Sequence, residues 1–250
     1  MLFEKSIAVV VPCFNEELLV GRVMETMPGF VDIIFVVDDK STDRTASVVA
    51  AYSQAQPNRI QLLCHEINQG VGGAISSGYR AALAARMDVT VVMAGDAQMD
   101  PDELASIVAP VAEDRCDYAK GNRLFSGQAW DMIPHVRYLG NAMLSLLTKV
   151  ASGYWHVADS QSGYTAINLK ALETIDWDKM YKNYGQPNDL LVKLNISDFR
   201  VLDVPIQPIY GIGEKSGIKP LRMIPKLSWL IFRLFLHRMV QKYIIKDFHP

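Results

Sequence analysis

The chain has 250 residues, of which half are hydrophobic and about a fifth charged, and its net charge is −2. This composition predicts a folded globular protein with one large α/β domain or two small ones, and the small charge gives no case for nucleic-acid binding. The cysteines Cys13, Cys64 and Cys116 are far apart and odd in number. They suit a reducing compartment and form neither a disulfide framework nor a zinc spacing. No uncharged apolar run reaches about 18 residues, so no transmembrane helix is predicted.

The first hundred residues alternate the signals of strands and helices. Buried strands are predicted at 7–11, 32–37, 60–64 and 90–93, and helices at 16–27, 42–53 and 70–85. This alternation predicts right-handed βαβ units, and hence a mostly parallel sheet.

The second half of the chain has a less regular pattern. Helices are predicted at 140–150 and 188–195, a loop running into a strand at 159–168, and a Gly- and Pro-rich loop at 206–220. A loop of that length is usually functional. No linker is evident, so we predict one domain over 1–225, followed by a C-terminal helix over 226–250.

Polar side chains follow three of the predicted strands. FNE at 14–16 follows the first strand, Asp38 and Asp39 follow the second, and Asp96 and Gln98 follow the fourth. Ligands of parallel sheets bind outside the carboxyl ends of the strands, so the three loops together indicate one site. Helix capping explains any single loop equally well.

Several segments, taken in order, resemble family 2 glycosyltransferases. They are VVVPCFNEE, FVVDDKSTDRT, NQGVGGAISSGY, GDAQMDPDEL, KGNR, DSQSGYTAIN and YGIGEKSGIK. The resemblance extends over nearly the whole chain and includes polyprenyl-phosphate sugar transferases such as dolichol-phosphate mannose synthase. It implies a glycosyltransferase type A fold, which is an α/β fold with a Rossmann-like, mostly parallel central sheet flanked by helices. It also implies a nucleotide-sugar donor, a divalent metal (Mg²⁺ or Mn²⁺) and inverting transfer.

The resemblance implies roles for the residues of the first two loops. Pro12, Phe14 and Glu16 match the first nucleotide-contacting loop of the family. Phe14 either stacks on the base or packs in the core, with no preference between the two. Asp39 matches the carboxylate that holds the base or ribose, and Asp38 braces the loop.

The loop after the fourth strand is the predicted metal site. A leaving diphosphate develops negative charge, which a hard cation with oxygen ligands neutralises. Asp96 and Gln98 are two positions apart, and in extended backbone both face one side. The family usually has a further aspartate where this chain has Ala94, which removes one carboxylate. Asp100 is predicted to cap the helix that begins at Pro101.

Two further loops are assigned to the donor. Gly70 opens a Gly-rich segment that does not complete G-x-G-x-x-G, because position 75 is isoleucine. A dinucleotide-binding dehydrogenase is therefore not expected. We interpret the glycines as allowing close backbone approach to the nucleotide sugar. By resemblance, Lys215 and Ser216 lie in a loop that closes over the diphosphate.

The resemblance also implies an acceptor side. Asp159 orients the acceptor, or deprotonates it as the candidate general base if the acceptor is a sugar hydroxyl. A phosphate acceptor is already anionic, with a second pKa of about 6, and needs cations rather than a base. Arg123 and Arg137 match positions that hold the acceptor phosphate in polyprenyl-phosphate enzymes, although each is otherwise explained as a surface arginine. Asn188 and Asp189 match an acidic pair near the reacting sugar.

The C-terminal segment has the pattern of a basic amphipathic helix. Its apolar stripe consists of Trp229, Phe232, Leu236, Met239, Val240 and Tyr243. Such a helix can lie in a membrane interface. The alternative is that it packs on the core or in a homo-oligomer contact, and the sequence does not favour one of these two over the other.

We therefore predict a metal-dependent, inverting hexosyltransferase located in the cytoplasm at the inner membrane face. It transfers a sugar from a nucleotide-diphosphate sugar to a polyprenyl phosphate. One alternative is transfer to a sugar hydroxyl of a glycan or lipid-linked oligosaccharide. Another, suggested by Ala94, is a nucleotide-sugar-binding protein without catalysis.

Overall fold

A seven-stranded sheet forms the centre of the protein in a computed structural model. The structure describes residues 2–125, 135–207, 209 and 220–246, but not the side chains of 135–137 and 220–224. The strands are Ile7–Cys13 (β1), Ile33–Asp38 (β2), Ile60–Cys64 (β3), Val89–Val92 (β4), Tyr118–Asn122 (β5), Thr165–Asn168 (β6) and Val201–Pro205 (β7). Their order is β3-β2-β1-β4-β6-β5-β7, and β6 runs antiparallel to its neighbours β4 and β5. The other neighbouring strands are parallel, as predicted.

Helices cover both faces of this sheet. They are Val20–Thr26 (α1), Thr45–Ala55 (α2), Val71–Ala84 (α3), Leu104–Ala112 (α4), His135–Ser152 (α5), Leu169–Thr174 (α6), Gln186–Ile196 (α7) and Pro220–Arg238 (α8). A 3₁₀ turn at Pro101–Glu103 precedes α4, and a π-helical stretch at Met239–Lys246 continues α8. The first helix begins four residues after its predicted start, at Val20 rather than Glu16. A turn precedes the helix, and the Glu16 backbone N–H donates to the Thr45 hydroxyl at 2.8 Å.

The alternation of side chains along β1 divides the core between two layers. Val9 and Val11 pack with α1, α2 and α4, whereas Ala8 and Val10 pack with α3, α6 and α7. Both faces are apolar, and the continuous hydrophobic run in the sequence follows from this. The sequence pattern does not predict β5 or β7, because Lys120 and Asp203 interrupt their apolar runs.

The C-terminal helix is apolar on two faces. Leu227, Leu230, Ile231 and Leu234 pack against α5 and α7, while Trp229, Phe232 and Leu236 of the predicted stripe are exposed. The predicted boundary at 225/226 falls inside α8.

None of the described helices is long and apolar enough to cross a bilayer.

Candidate functional site

One edge of the sheet gathers the loops that carry the predicted site. Strands β1, β2, β4 and β5 end at this edge, and the antiparallel β6 begins there. A pocket at this edge is lined by Asp96, Gln98, Met99, Arg123, Ser162, Gly163, Tyr164, Ile206, Gln207 and Ile209. Three separately predicted segments, namely the loop after β4, the end of β5 and the loop before β6, therefore meet at one place.

A tight turn, rather than extended backbone, brings Asp96 and Gln98 to the pocket. Ala97 between them has φ 57°, and Asp96 Oδ1 accepts a hydrogen bond from the Gln98 backbone N–H at 3.1 Å. The prediction of an extended segment was therefore wrong, although both side chains do line the same pocket. The buried Gln98 Nε2 has no acceptor among the described residues, and the amide oxygen is the atom of this side chain that could bind a cation.

Negative charge accumulates beside this turn. Burial, together with the charges of Asp96 and Asp43, raises the pKa of Glu16 to about 7. Burial and the nearby carboxylates also raise the pKa of the Cys13 thiol well above its ordinary value. Carboxylate oxygens and side-chain amide oxygens are the ligands that a hard divalent cation prefers.

Asp96 and Gln98 fit a cation that takes its remaining ligands from substrate or water. Within the described part of the chain, no group of three or more His, Cys, Asp or Glu side chains is preassembled to hold a metal.

Arg123 and Asp159 form a bidentate ion pair next to the pocket. Arg123 Nε donates to Asp159 Oδ2 at 2.7 Å, Nη2 donates to Oδ1 at 3.1 Å, and the Arg123 backbone N–H donates to Oδ2 at 3.2 Å. The Asp159 side chain is fully buried, whereas 22% of the Arg123 side chain is exposed. The carboxylate thus fixes the guanidinium where the latter lines the pocket.

This pairing makes Asp159 a poor proton acceptor. Burial favours the neutral acid, but Arg123 and Lys120 outweigh it and hold the pKa of Asp159 below its ordinary value. A general base near neutral pH needs a pKa close to the working pH. This geometry does not favour Asp159 as a general base, because it joins the carboxylate to Arg123. The orienting of the acceptor by Asp159 stays a prediction.

The acidic pair at the end of β2 makes hydrogen bonds to neighbouring backbone groups. Both oxygens of Asp39 accept backbone N–H groups, from Gln69 and Gly70 at 2.8 Å each, and Oδ1 also contacts His65 Nδ1 at 2.7 Å. Asp38 accepts the Ser41 N–H at 3.2 Å, and its buried Oδ1 has no donor among the described residues. Asp38 therefore braces its own loop, as predicted, and Asp39 additionally holds the segment before α3.

The first loop presents Phe14 to solvent. Phe14 is 48% exposed, so the alternative of core packing was wrong and the ring is accessible to a ligand. The Pro12 carbonyl accepts the Gly95 N–H at 3.3 Å, which ties the end of β1 to the loop after β4.

Gly70 allows a close approach within the chain itself. Its φ is +80°, and a Cβ at this position would lie 2.6 Å from both the Lys182 carbonyl and Asn183 Oδ1. The close approach seen at Gly70 is between the start of α3 and the segment before α7, and the approach to the nucleotide sugar stays a prediction.

Asn188 and Asp189 are buried at the start of α7. Asn188 Oδ1 accepts from Thr148 Oγ1 and Gln161 Nε2, each at 2.9 Å. Asp189 Oδ2 accepts the Tyr181 N–H and Lys193 Nζ, each at 2.8 Å. Both side chains hold neighbouring segments in place, rather than lining the pocket.

Three predicted site residues lie outside the described part. They are Lys215 and Ser216, and the side chain of Arg137, whose backbone lies in the first turn of α5. Sequence reasoning missed Lys120, a fully buried lysine on β5. A charged residue between Ala119 and Gly121, in a segment that also carries Arg123, was the available signal.

Sequence comparison identifies relatives over most of the chain. The profile described as Glycosyl transferase family 2 matches residues 8–176. The chain is 29% identical over 219 residues to the UDP-N-acetylglucosamine–dolichyl-phosphate N-acetylglucosaminyltransferase of Methanococcus voltae, covering 83% of this chain and 87% of that protein. It is 29% identical over 217 residues to the polyprenol monophosphomannose synthase of Mycolicibacterium smegmatis, covering 84% and 80%.

A solved structure shares the fold. Glucosyl-3-phosphoglycerate synthase from Mycobacterium tuberculosis, in complex with Mn²⁺, UDP-glucose and phosphoglyceric acid, matches with a TM-score of 0.64 at 19% identity. The match covers 94% of this chain and 80% of that one. It confirms the predicted α/β fold with a mostly parallel sheet.

Proposed function

The chain belongs to Glycosyl transferase family 2, and from this premise we propose that it transfers a sugar from a nucleotide-diphosphate sugar to a polyprenyl phosphate, with inversion. The named relatives that act on dolichyl phosphate and polyprenol support this choice of acceptor. A divalent cation, Mg²⁺ or Mn²⁺, is the proposed cofactor, as in the structural neighbour with bound Mn²⁺.

The observation that carries the proposal is the pocket shared by Asp96, Gln98 and Arg123. Asp96 and Gln98 would hold the cation, which supplies positive charge to the leaving diphosphate. Arg123 contributes a planar guanidinium, which suits a phosphate group. A site that gathers two anions at one reacting centre needs this arrangement of positive charge.

The state of Asp159 favours phosphate over hydroxyl as the acceptor. A hydroxyl must lose its proton in the reaction, and Asp159 is engaged by Arg123 with a lowered pKa. A phosphate oxygen is already anionic and attacks without a base.

An exposed apolar surface supports contact with a membrane. It consists of Leu139, Met143, Leu146, Leu147 and Val150 on α5, and Trp229, Phe232, Leu236, Val240 and Tyr243 on α8 and its π-helical extension. These helices pack against each other. Exposed apolar side chains on two packed helices suit the interface where a lipid-linked acceptor resides.

Direct transfer assays test the proposal. UDP-, GDP- and dTDP-sugars would be offered with farnesyl phosphate, or with a glycan acceptor, in the presence of Mn²⁺ or EDTA. We expect product on the lipid phosphate with one donor class, and none with EDTA. Transfer to the glycan alone would favour the hydroxyl alternative. Tight donor binding without transfer or donor hydrolysis would favour the non-catalytic alternative.

A further inference from the structure

A lysine side chain lies fully buried beneath the pocket. Lys120 Nζ donates a hydrogen bond to the carbonyl of Ser162, a residue of the pocket wall. In the parallel pairing of β5 with β7, Lys120 lies opposite Asp203, and the charge of Asp159 also acts on it. Burying an ammonium group is costly unless charged partners compensate it.

We propose that Lys120 is a positioning residue for acceptor binding, which compensates the buried Asp159 so that Arg123 can bind an anionic acceptor. This inference rests on the proposed function, because it requires an acceptor that carries a phosphate. It goes further by assigning the acceptor affinity to a residue that does not itself line the pocket.

The balance of charge carries the inference. The group consists of the cations Lys120 and Arg123 and the carboxylates Asp159 and Asp203. With both cations protonated, positive and negative charges balance, and Arg123 can share its charge with an incoming phosphate. With Lys120 neutral, Arg123 is left with an excess of carboxylate, which repels an anion in the pocket.

Hydrogen bonds to the same carboxylates order the loop before β6, which itself carries Asp159. The Ala158 N–H donates to Asp203 Oδ2 at 2.6 Å, and the Gln161 N–H donates to Asp159 Oδ1 at 3.1 Å. Lys120 adds a third hydrogen bond, which its Nζ donates to the Ser162 carbonyl in this loop. The hydrogen bond of Lys120 therefore acts on the pocket wall, and its charge acts on Asp159, the partner of Arg123.

The proton of Lys120 makes the effect measurable. Burial lowers the pKa of Lys120 to about 8, against the charges of Asp159 and Asp203, which favour the ammonium, while Arg123 disfavours it. Burial raises the pKa of Asp203, and the nearby His156 opposes this rise. On β6 the residue opposite Lys120 is a threonine, which does not titrate here. Acceptor affinity should therefore fall as pH rises through about 8.

Calorimetric binding of farnesyl phosphate tests the inference, with farnesol as the uncharged control. The pH would run from about 7 to about 9.5, where the phosphate charge is constant because its second pKa is about 6. We expect wild-type affinity for farnesyl phosphate to fall roughly tenfold across this range, and affinity for farnesol to stay constant. This measurement needs no variant.

Two substitutions complete the design. Lys120→Met should bind farnesyl phosphate roughly tenfold more weakly at pH 7, without the fall at high pH. Lys120→Arg, which stays charged, should keep the affinity and lose the fall. The role of Lys120 would be overturned if the wild-type affinity for farnesyl phosphate does not change with pH, or if a folded Lys120→Met keeps the wild-type affinity. The proposed function would stand in either case. A wild-type protein that does not bind farnesyl phosphate would overturn the proposed acceptor, and this inference with it.

Discussion

Arg123 and Asp159 are joined side by side, with Nε to Oδ2 at 2.7 Å and Nη2 to Oδ1 at 3.1 Å. Because the carboxylate is fully buried and the guanidinium is partly exposed, the pair presents its positive member to the pocket. In this geometry the buried Asp159 carboxylate holds the arginine that lines the pocket.

Asp159→Asn separates an orienting role from a base. We expect the KM for the acceptor to rise about tenfold while kcat changes only a few-fold. The substitution breaks the bidentate pairing that fixes the orientation of Arg123, and this loss should outweigh the removal of one negative charge. A general base would instead lose on the order of 10²–10⁴ in kcat. Arg123→Lys, which keeps the charge but not the paired geometry, should give the same KM effect. Melting curves would check that each variant remains folded, since breaking a buried pair is destabilising.

Asp96→Ala tests the proposed metal site. We expect turnover to fall on the order of a hundredfold at saturating donor and Mn²⁺, and Mn²⁺ should no longer strengthen donor binding in calorimetry. Asp100→Ala is the matched control. The Asp100 carboxylate accepts the Asp102 N–H at 3.0 Å and caps the turn before α4, as predicted. Its loss should cost about 1 kcal/mol of stability with turnover kept. Unchanged activity in Asp96→Ala would remove this residue from the mechanism.

Glu16→Gln tests the accumulation of negative charge in the metal-free protein. The pKa of Glu16 is raised from 4.5 to about 7. A raised folded-state pKa means that the wild type loses stability as pH rises through this window. The variant should therefore melt higher than wild type above about pH 7, and the difference should vanish below about pH 4.5. Melting in EDTA measures it. In an Asp96→Asn background, the window should move to lower pH.

Two glycine substitutions should have opposite effects on stability. Gly70→Ala places a side chain at φ +80° and 2.6 Å from the Lys182 carbonyl, and should destabilise by roughly 1–3 kcal/mol. Gly140 is exposed in α5 with open space around a Cβ, so Gly140→Ala should stabilise by about 0.5–1 kcal/mol. Denaturant titrations measure both. Equal effects of the two substitutions would contradict the tight contact at Gly70.

The exposed apolar surface predicts binding to lipid vesicles. Replacing Met143 with Gln and Trp229 with Ser should weaken co-sedimentation with anionic vesicles at least tenfold, since each change removes buried apolar area at the interface. Ile67→Gln is the control, because Ile67 is comparably exposed but follows β3, at the far end of the sheet order from β7. If the surface instead mediates self-association, the double variant would change the oligomeric state rather than vesicle binding.

The amino-acid sequence by itself determined the parallel half of the sheet, because strands buried on both faces need continuous apolar runs such as the one in β1. It also determined which loops carry the site, because polar residues that directly follow such strands must lie at one edge. The cap at Asp100 was equally readable, since capping is local.

Only the tertiary structure decided the contacts between distant segments. Lys120 and Asp203 are far apart in sequence and become neighbours only when β5 pairs with β7, so neither strand nor charge pair was predicted. The state of Asp159 depends on Arg123, from another loop. Whether a carboxylate acts as base or as anchor depends on its charged neighbours and its burial, and these are set by the packing of the whole chain.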